Sequence, residues 1–309
     1  MKVAANRRVM LGAARMGLHN MGAACSFQPV RPHTLGILGL GAIGGSLARQ
    51  AKLAGVATVV GWSPEPSERV AAVQQGALDD APPRAADVAR AADLLVLAAP
   101  PAANLTQLET LAPQLRAGAL VTDVGSVKRA IVALAERLGL AARFAGSHPL
   151  AGTHRGGFEA SRGDLFRGAV VYVTPCAGGD GAAREIVHFW ETVLDAHAVT
   201  LDAARHDAQL AATSHVPQVV ASLLAHFLAR QTPTGASFGP GALDTTRLAA
   251  SDPCLWSEIL LMNRDAVLPA LRALEEPLGA VERALEAGDG PALTAWLTQA
   301  ADWRRRIDL

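Results

Sequence analysis

The hydrophobic pattern gives the chain two textures. Up to Thr200, short apolar runs of strand length alternate with stretches that have helical spacing; after Leu201 no strand-like run occurs. The runs predict strands over 35–39, Thr58–Trp62, Leu94–Ala98, Leu120–Thr122 (ending at Asp123), Ala141–Gly146 and Ala169–Thr174. A shorter strand is expected near Ala77-Leu78, with a polar stretch after it. Helices are expected over about 42–54, 67–75, 103–115 and 127–138, and one more helix–strand unit runs from Gly181 to Thr200. Apolar strands separated by helices mean a parallel sheet covered on both faces.

The second texture is long Ala/Leu helices, over about 202–230, 253–286 and 290–306, with Gln231 to Gly241 as a Gly/Pro/Ser/Thr-rich link. These helices carry apolar residues on more than one face, which must be buried against something. Two copies sharing that burial in a symmetric homodimer is the expectation. The chain therefore divides into a disordered extension (1–32), a nucleotide-binding domain (33–200) and a helical substrate and dimerisation domain (201–309).

Where the first strand meets the first helix stands Gly39-Leu40-Gly41-Ala42-Ile43-Gly44. Glycines at this spacing serve a tight turn, the approach of a pyrophosphate to the backbone, and close helix–strand packing, with the helix N-terminus facing the anion. This is the fingerprint of a Rossmann-type, doubly wound α/β domain. Its cofactor contacts are expected at Gly39, Gly41, Ala42, Ile43, Gly44, Ser63, Pro100 and Ser126. An acid normally ends the second strand and holds the ribose of NAD. Here Gly61-Trp62-Ser63-Pro64-Glu65 puts the neutral Ser63 there, with Arg69 close by. That leans toward NADP over NAD, although Glu65 can still reach the ribose.

Charge narrows the partners. Lys+Arg and Asp+Glu are both 28, a balance that lacks the basic stripe of a nucleic-acid binder. No apolar run reaches the eighteen or so residues of a membrane span, since Leu94 to Ala103 is cut by Pro100-Pro101. The three cysteines show no CxxC spacing and fit a reducing, cytoplasmic setting. Residues 1–32 hold five basic residues and no acid; Arg7-Arg8 faintly suggests a twin-arginine signal, but the apolar run after it fails at Arg15.

Polar residues cluster at strand ends, where open α/β sheets bind ligands. Asp123-Val124-Gly125-Ser126-Val127-Lys128 follows one strand, and Ser126 reads either as a ligand contact or as a helix cap. Gly146-Ser147-His148-Pro149-Leu150-Ala151-Gly152-Thr153 follows the next, with His148 where an acid–base group belongs. In the helical part Asp207, Ala211, Ser214 and Gln218 share a face, His215 lies beside them, and Pro217 implies a kink. Arg247 offers a planar fork for a carboxylate, or else pairs with a surface acid. His206 and His215 are nine apart, which is not one-face metal spacing, and no metal is expected.

With GLGAIGGSLA, DVGSVK, GSHPLAGT, HDAQLAATSHVP and TTRLAASDPCLW in this order, the chain resembles the prephenate/arogenate dehydrogenases of tyrosine biosynthesis from about Leu35 onward. The resemblance implies oxidative decarboxylation of a cyclohexadienol to a phenol, with hydride passing to NAD(P)+. It implies that His148 takes the proton of the ring hydroxyl, Ser126 orients that hydroxyl, and Arg247 holds a carboxylate. Gln218, Ser214, His154 and Trp256 then belong to the substrate pocket. Two departures leave prephenate against arogenate open. Gln218 stands where members often have a second histidine, and His154 where many have an acid. With no appended domain expected, tyrosine inhibition through one is not expected either. The β-hydroxyacid dehydrogenases, similar in plan, use a lysine on the first long helix, and no lysine follows Lys128.

Overall fold

The computed structural model describes residues 32–152, 156–233 and 235–307. The expectations for residues 1–31 and for His154 lie outside the described residues. Strand β1 (Thr34–Leu38) is the centre of a parallel sheet because both of its faces are buried. Around it lie α1 (Ala42–Leu53), β2 (Thr58–Trp62), α2 (Pro66–Gln74), α3 (Ala85–Ala91), β3 (Leu94–Leu97), α4 (Pro101–Leu111) and β4 (Leu120–Asp123). The strand order is β2-β1-β3-β4, all parallel. Leu35, Ile37 and Val96 pack one face, Leu38, Leu95 and Leu97 the other.

After α5 (Arg129–Arg137), strand β5 (Ala145–Pro149) begins four residues later than expected and includes His148. Apolar Ala141 and Ala142 lie before the strand, while Ser147 and His148 are buried polar residues inside it. Ser147 is satisfied there: its hydroxyl lies 2.7 Å from the Thr122 hydroxyl and accepts from Trp190 Nε1 at 2.9 Å. Strand β6 (Val170–Pro175) runs antiparallel to β5, against the parallel expectation. Among its described residues the connection between them holds a short 3-10 turn, Phe158–Ala160, and no crossover helix, which parallel pairing requires. Then α6 (Asp180–Thr192) returns the chain so that β7 (His197–Thr200) pairs parallel with β6. A parallel bridge from Val121 to Phe144 joins the two sets of strands.

Two local expectations fail. Ala77-Leu78 is irregular, following the turn at Gln75-Gly76; the Asp79 carboxylate accepts the Val59 amide at 2.7 Å, and a single bridge, Val60 to Asp80, forms. The polar stretch after it contains α3, whose buried side is just Val88 and Ala89 while Arg84, Asp87 and Arg90 pair on the outside.

From Ala203 onward the described residues are helical or irregular. The expected helix 202–230 is α7 (Ala203–Leu210), a wide π-turn (Ala211–His215) and α8 (Val216–Gln231). Pro217 lacks an amide hydrogen and its ring crowds the carbonyl four residues back, so the turn before it widens. Next come α9 (Pro240–Thr246) and a 3-10 turn, Arg247–Ala250. The expected helix 253–286 is three: α10 (Pro253–Met262), α11 (Arg264–Arg272) and α12 (Glu275–Ala287), followed by α13 (Gly290–Ile307). Leu223, Phe227, Leu261, Leu285 and Trp303 are exposed, and α13 buries no residue. No helix among the described residues is long and apolar enough to cross a membrane.

Candidate active site

The glycine turn has the shape a dinucleotide needs. Gly39 sits at φ +101°, and a β-carbon there would meet the Ala98 carbonyl oxygen at 2.6 Å. A β-carbon on Gly44 would lie 1.8 Å from the Gly39 carbonyl oxygen, so helix and strand touch through backbone. Around Gly41, by contrast, nothing lies within 4 Å of the same construction. That space opens at the N-terminus of α1, which no side chain caps, as a pyrophosphate requires. Ala42 and Ile43, both half-buried, begin the helix. Pro100, exposed at the end of β3, starts α4; buried Asn104 fixes that corner by bonding the Leu97 carbonyl and the Ala99 amide.

At the end of β2, Ser63 is buried and its hydroxyl donates to Glu68 Oε2 at 2.5 Å. Arg69 donates to the Ser63 carbonyl. An acid and a guanidinium thus flank the position where the ribose hydroxyls would lie.

At the neighbouring strand ends, β4, β5 and the helical domain meet. Lys128 is fully buried; its ammonium donates to the Asp123 carboxylate and to the Ser147 carbonyl at 2.7 Å. Burial pushes Lys128 down and Asp123 up from their ordinary values, each opposed by the other's charge. The lysine thereby ties the turn carrying Ser126 to the strand carrying His148. Ser126 is half-buried and does not cap α5. That task falls to Asp207 of α7, whose carboxylate accepts the amides of Lys128 at 2.8 Å and Arg129 at 3.0 Å.

His148 Nδ1 lies 2.9 Å from His206 Nε2, and His206 Nδ1 lies 2.8 Å from Asp207 Oδ1. Burial first, then repulsion from His206 and His215 wherever those rings are protonated and from Lys128, holds the His148 imidazole well below its ordinary pKa. Burial likewise lowers His206, against the pull of Asp207. Burial alone would raise Asp207, but the bonds from His206 and the two amides outweigh it and hold the carboxyl below its ordinary value. At neutral pH the set is therefore a carboxylate and two neutral rings.

Sequence reading placed Asp207 on a helical face but gave neither it nor His206 a role. Adjacent residues are rarely read as one unit, and their partners are 58 and 79 positions away. The π-turn also breaks the expected face: Asp207, Ala211, His215 and Gln218 are buried, while Ser214 is half-buried. His215 Nδ1 accepts from Asn263 Nδ2 at 3.0 Å, and the edge of its ring meets Trp256, with centroids 6.0 Å apart. Asn263, at the junction of α10 and α11, also donates to the Asp207 carbonyl at 2.8 Å. Gln218 Nε2 donates to the Leu248 carbonyl at 2.9 Å, which places it against the turn that begins at Arg247. Arg247 is exposed; its backbone amide donates to the Asp244 carbonyl, but its guanidinium makes no hydrogen bond or ion pair with another described residue.

A glycine-turn nucleotide site, a neutral imidazole at the neighbouring strand end and a helical second half define a two-domain nicotinamide-dependent dehydrogenase. Residues 47–199 match the family model described as prephenate dehydrogenase, nucleotide-binding domain, and residues 202–299 the one described as prephenate dehydrogenase, dimerization domain. The chain belongs to the prephenate dehydrogenase family. It is 31% identical over 284 residues to the prephenate dehydrogenase of Bacillus subtilis, covering 89% of this chain and 76% of that one. The crystal structure of prephenate dehydrogenase from A. aeolicus, in complex with hydroxyphenyl propionate and NAD+, superposes with a TM-score of 0.80 at 28% identity, over 89% of this chain and 98% of that one. Synechocystis arogenate dehydrogenase gives 0.76 at 29% identity, over 89% and 99%.

Proposed function

We infer that this chain oxidatively decarboxylates prephenate to 4-hydroxyphenylpyruvate in tyrosine biosynthesis. The observation that carries the reading is the His148 imidazole, held neutral at the end of β5 with its Nδ1 engaged by His206. A neutral ring with one nitrogen occupied keeps the other for a substrate proton. NAD(P)+ supplies the hydride acceptor, and the turn at Gly39, Gly41 and Gly44 would hold its pyrophosphate, with Ala42, Ile43, Pro100 and Ser126 along the same crevice. His148 Nε2 draws the proton of the ring hydroxyl as the C–H hydride leaves the same carbon. Ser126 orients that hydroxyl. The ring carboxylate departs as CO2, and the aromatisation of the ring drives that loss. Arg247 holds a substrate carboxylate, with Ser214, Gln218 and Trp256 around the side chain.

A second substrate reading, arogenate, has one observation in its favour. Gln218 Nε2 is engaged by the Leu248 carbonyl, and its buried Oε1 has no partner. A lone acceptor there suits the ammonium of an amino-acid side chain better than a keto group. For the cofactor, neutral Ser63 and neighbouring Arg69 support NADP+, with the Glu68 carboxylate as the counterweight. The exposed apolar faces of the helical half and its match to a dimerization domain support a homodimer.

The deciding experiment crosses prephenate and arogenate with NAD+ and NADP+, following reduced nicotinamide by absorbance. Turnover of prephenate that disappears in His148→Asn is expected. An active His148→Asn variant with a flat pH profile would overturn the mechanism. A marked preference for NAD+ would overturn the cofactor reading.

A further inference from the structure

The base at His148 is not a lone histidine. Behind it stands a second imidazole, and behind that a carboxylate to which no cation among the described residues donates a hydrogen bond. The Arg129 guanidinium approaches Asp207 only to 3.5 Å and is partly exposed. Proton positions follow from the partners. Asp207 is ionised and already accepts two backbone amides, so it can only accept from His206. His206 therefore carries its hydrogen on Nδ1 and offers a lone pair at Nε2. His148 must then donate to that lone pair from Nδ1, which leaves its own Nε2 unprotonated.

We propose that Asp207 and His206 are positioning residues that set the tautomer of His148 and steady the positive charge it acquires, so that the carboxylate capping α5 also prepares the base on β5. This rests on the reading of His148 as the base. The geometry gives the pair two tasks at once. Asp207 belongs to the helical domain, yet its amide partners begin α5 in the nucleotide domain. The base is thus in its working form only where the two domains meet as they do here.

When His148 takes a proton on Nε2 it becomes a cation whose Nδ1–H still points at His206. No proton needs to leave the relay, and the charge is steadied through His206 by Asp207. The other groups facing the pair work against that charge or are balanced. Lys128 reaches the Ser147 carbonyl from below but is paired with Asp123. His215 is neutral at physiological pH, with its pKa at about 4. Tyr172, opposite His148 across β5 and β6, sets its ring edge-on to His206 and receives a hydrogen bond at its hydroxyl from Gln209.

The test reads the tautomer directly. In the full chain labelled with 15N-histidine, long-range proton–nitrogen correlation spectra should show His148 and His206 both protonated on Nδ1. In Asp207→Asn the amide can donate to His206 Nδ1, and both rings should switch to Nε2. With that switch kcat should fall about 100- to 10,000-fold, while KM for prephenate and nucleotide affinity stay within a few-fold. His206→Gln keeps an acceptor near His148 and leaves the Asp207 bonds to α5 intact. It should move the acid limb of kcat/KM to lower pH and lower kcat. Wild-type His148 protonated on Nε2 would overturn the proposal. So would His206→Gln with unchanged kcat and acid limb, which decides the matter even if Asp207→Asn fails to fold. The base reading is judged separately: His148→Asn inactive beside a fully active His206→Gln removes the relay and leaves the base, whereas an active His148→Asn removes both.

Discussion

A β-carbon on Gly44 would stand 1.8 Å from the carbonyl oxygen of Gly39, whereas one on Gly41, between them, would touch nothing. The two positions therefore separate folding from binding. Gly44→Ala should cost at least the 1–3 kcal/mol or so typical of overpacking, because the obstacle is backbone. Gly41→Ala should fold with an unchanged melting temperature and lose nucleotide affinity about tenfold or more, since its methyl would occupy the pyrophosphate's space. Thermal melting beside a fluorescence titration with reduced nicotinamide nucleotide checks both. Equal destabilisation of the two variants would contradict the assignment.

Lys128 has no exposed surface in its side chain, and its ammonium is in contact with Asp123. Lys128→Met would leave that carboxylate buried with the Gly125 amide but no counter-charge, and should destabilise by about 3–5 kcal/mol in chemical denaturation. Adding Asp123→Asn should recover much of the loss. A single variant with wild-type stability would mean that the pair is not buried as described.

Acid should weaken the fold before it titrates the carboxylates. In the unfolded chain His148, His206 and His215 titrate near 6.5, whereas burial first of all keeps all three depressed in the folded chain, His215 to about 4. Between those values the unfolded state binds more protons, so stability falls as pH drops, by up to roughly 1.4 kcal/mol per pH unit for each imidazole. Asp207 has the same sign lower down: its depressed pKa contributes stability that is lost below its ordinary 3.8. Urea midpoints at pH 7.5, 6.5, 5.5 and 4.5 should decline steadily, and His215→Gln should flatten the slope. A midpoint independent of pH over that range would contradict the buried neutral state.

The sheet was legible because burial on both faces writes itself as continuous apolar runs, and β1, β2 and β3 lie within a residue of their expected ends. Strand β5 was misplaced because its third and fourth residues, Ser147 and His148, are polar and buried. Their partners, Thr122, Trp190 and His206, lie far off in sequence. The break at Asn263 carries neither Gly nor Pro; it is made by a side chain that bonds Asp207 and His215 instead of solvent. The glycine turn and His148 could be read from local order. His206 and Asp207 could not, because their meaning lies in contacts between domains.

Cofactor choice turns on the end of β2. The Glu68 carboxylate accepts from Ser63 and would repel a 2′-phosphate, while Arg69, which donates to the Ser63 carbonyl, could turn to meet it. Glu68→Gln removes the repulsion and leaves a hydrogen-bonding group in place. The kcat/KM ratio for NADP+ over NAD+ should rise about five- to thirtyfold, a change on the order of 1–2 kcal/mol. An unchanged ratio would show that Glu68 does not face the ribose.

Arg247 begins the turn held to α8 by Gln218, and no carboxylate among the described residues pairs with it. A guanidinium that pairs with no described residue, on a turn held by a buried amide, is suited to a substrate anion. Arg247→Ala should raise KM for prephenate about 10- to 150-fold, matching the loss of roughly 1.5–3 kcal/mol for a charged hydrogen bond, with kcat changed far less. Arg247→Lys should recover only part, because an ammonium cannot reproduce the two parallel bonds. Nucleotide affinity, read in the absence of prephenate, should stay at the wild-type value in both variants. A fall in kcat with KM unchanged would place Arg247 in the chemical step and not in substrate binding, and would require another residue for the carboxylate.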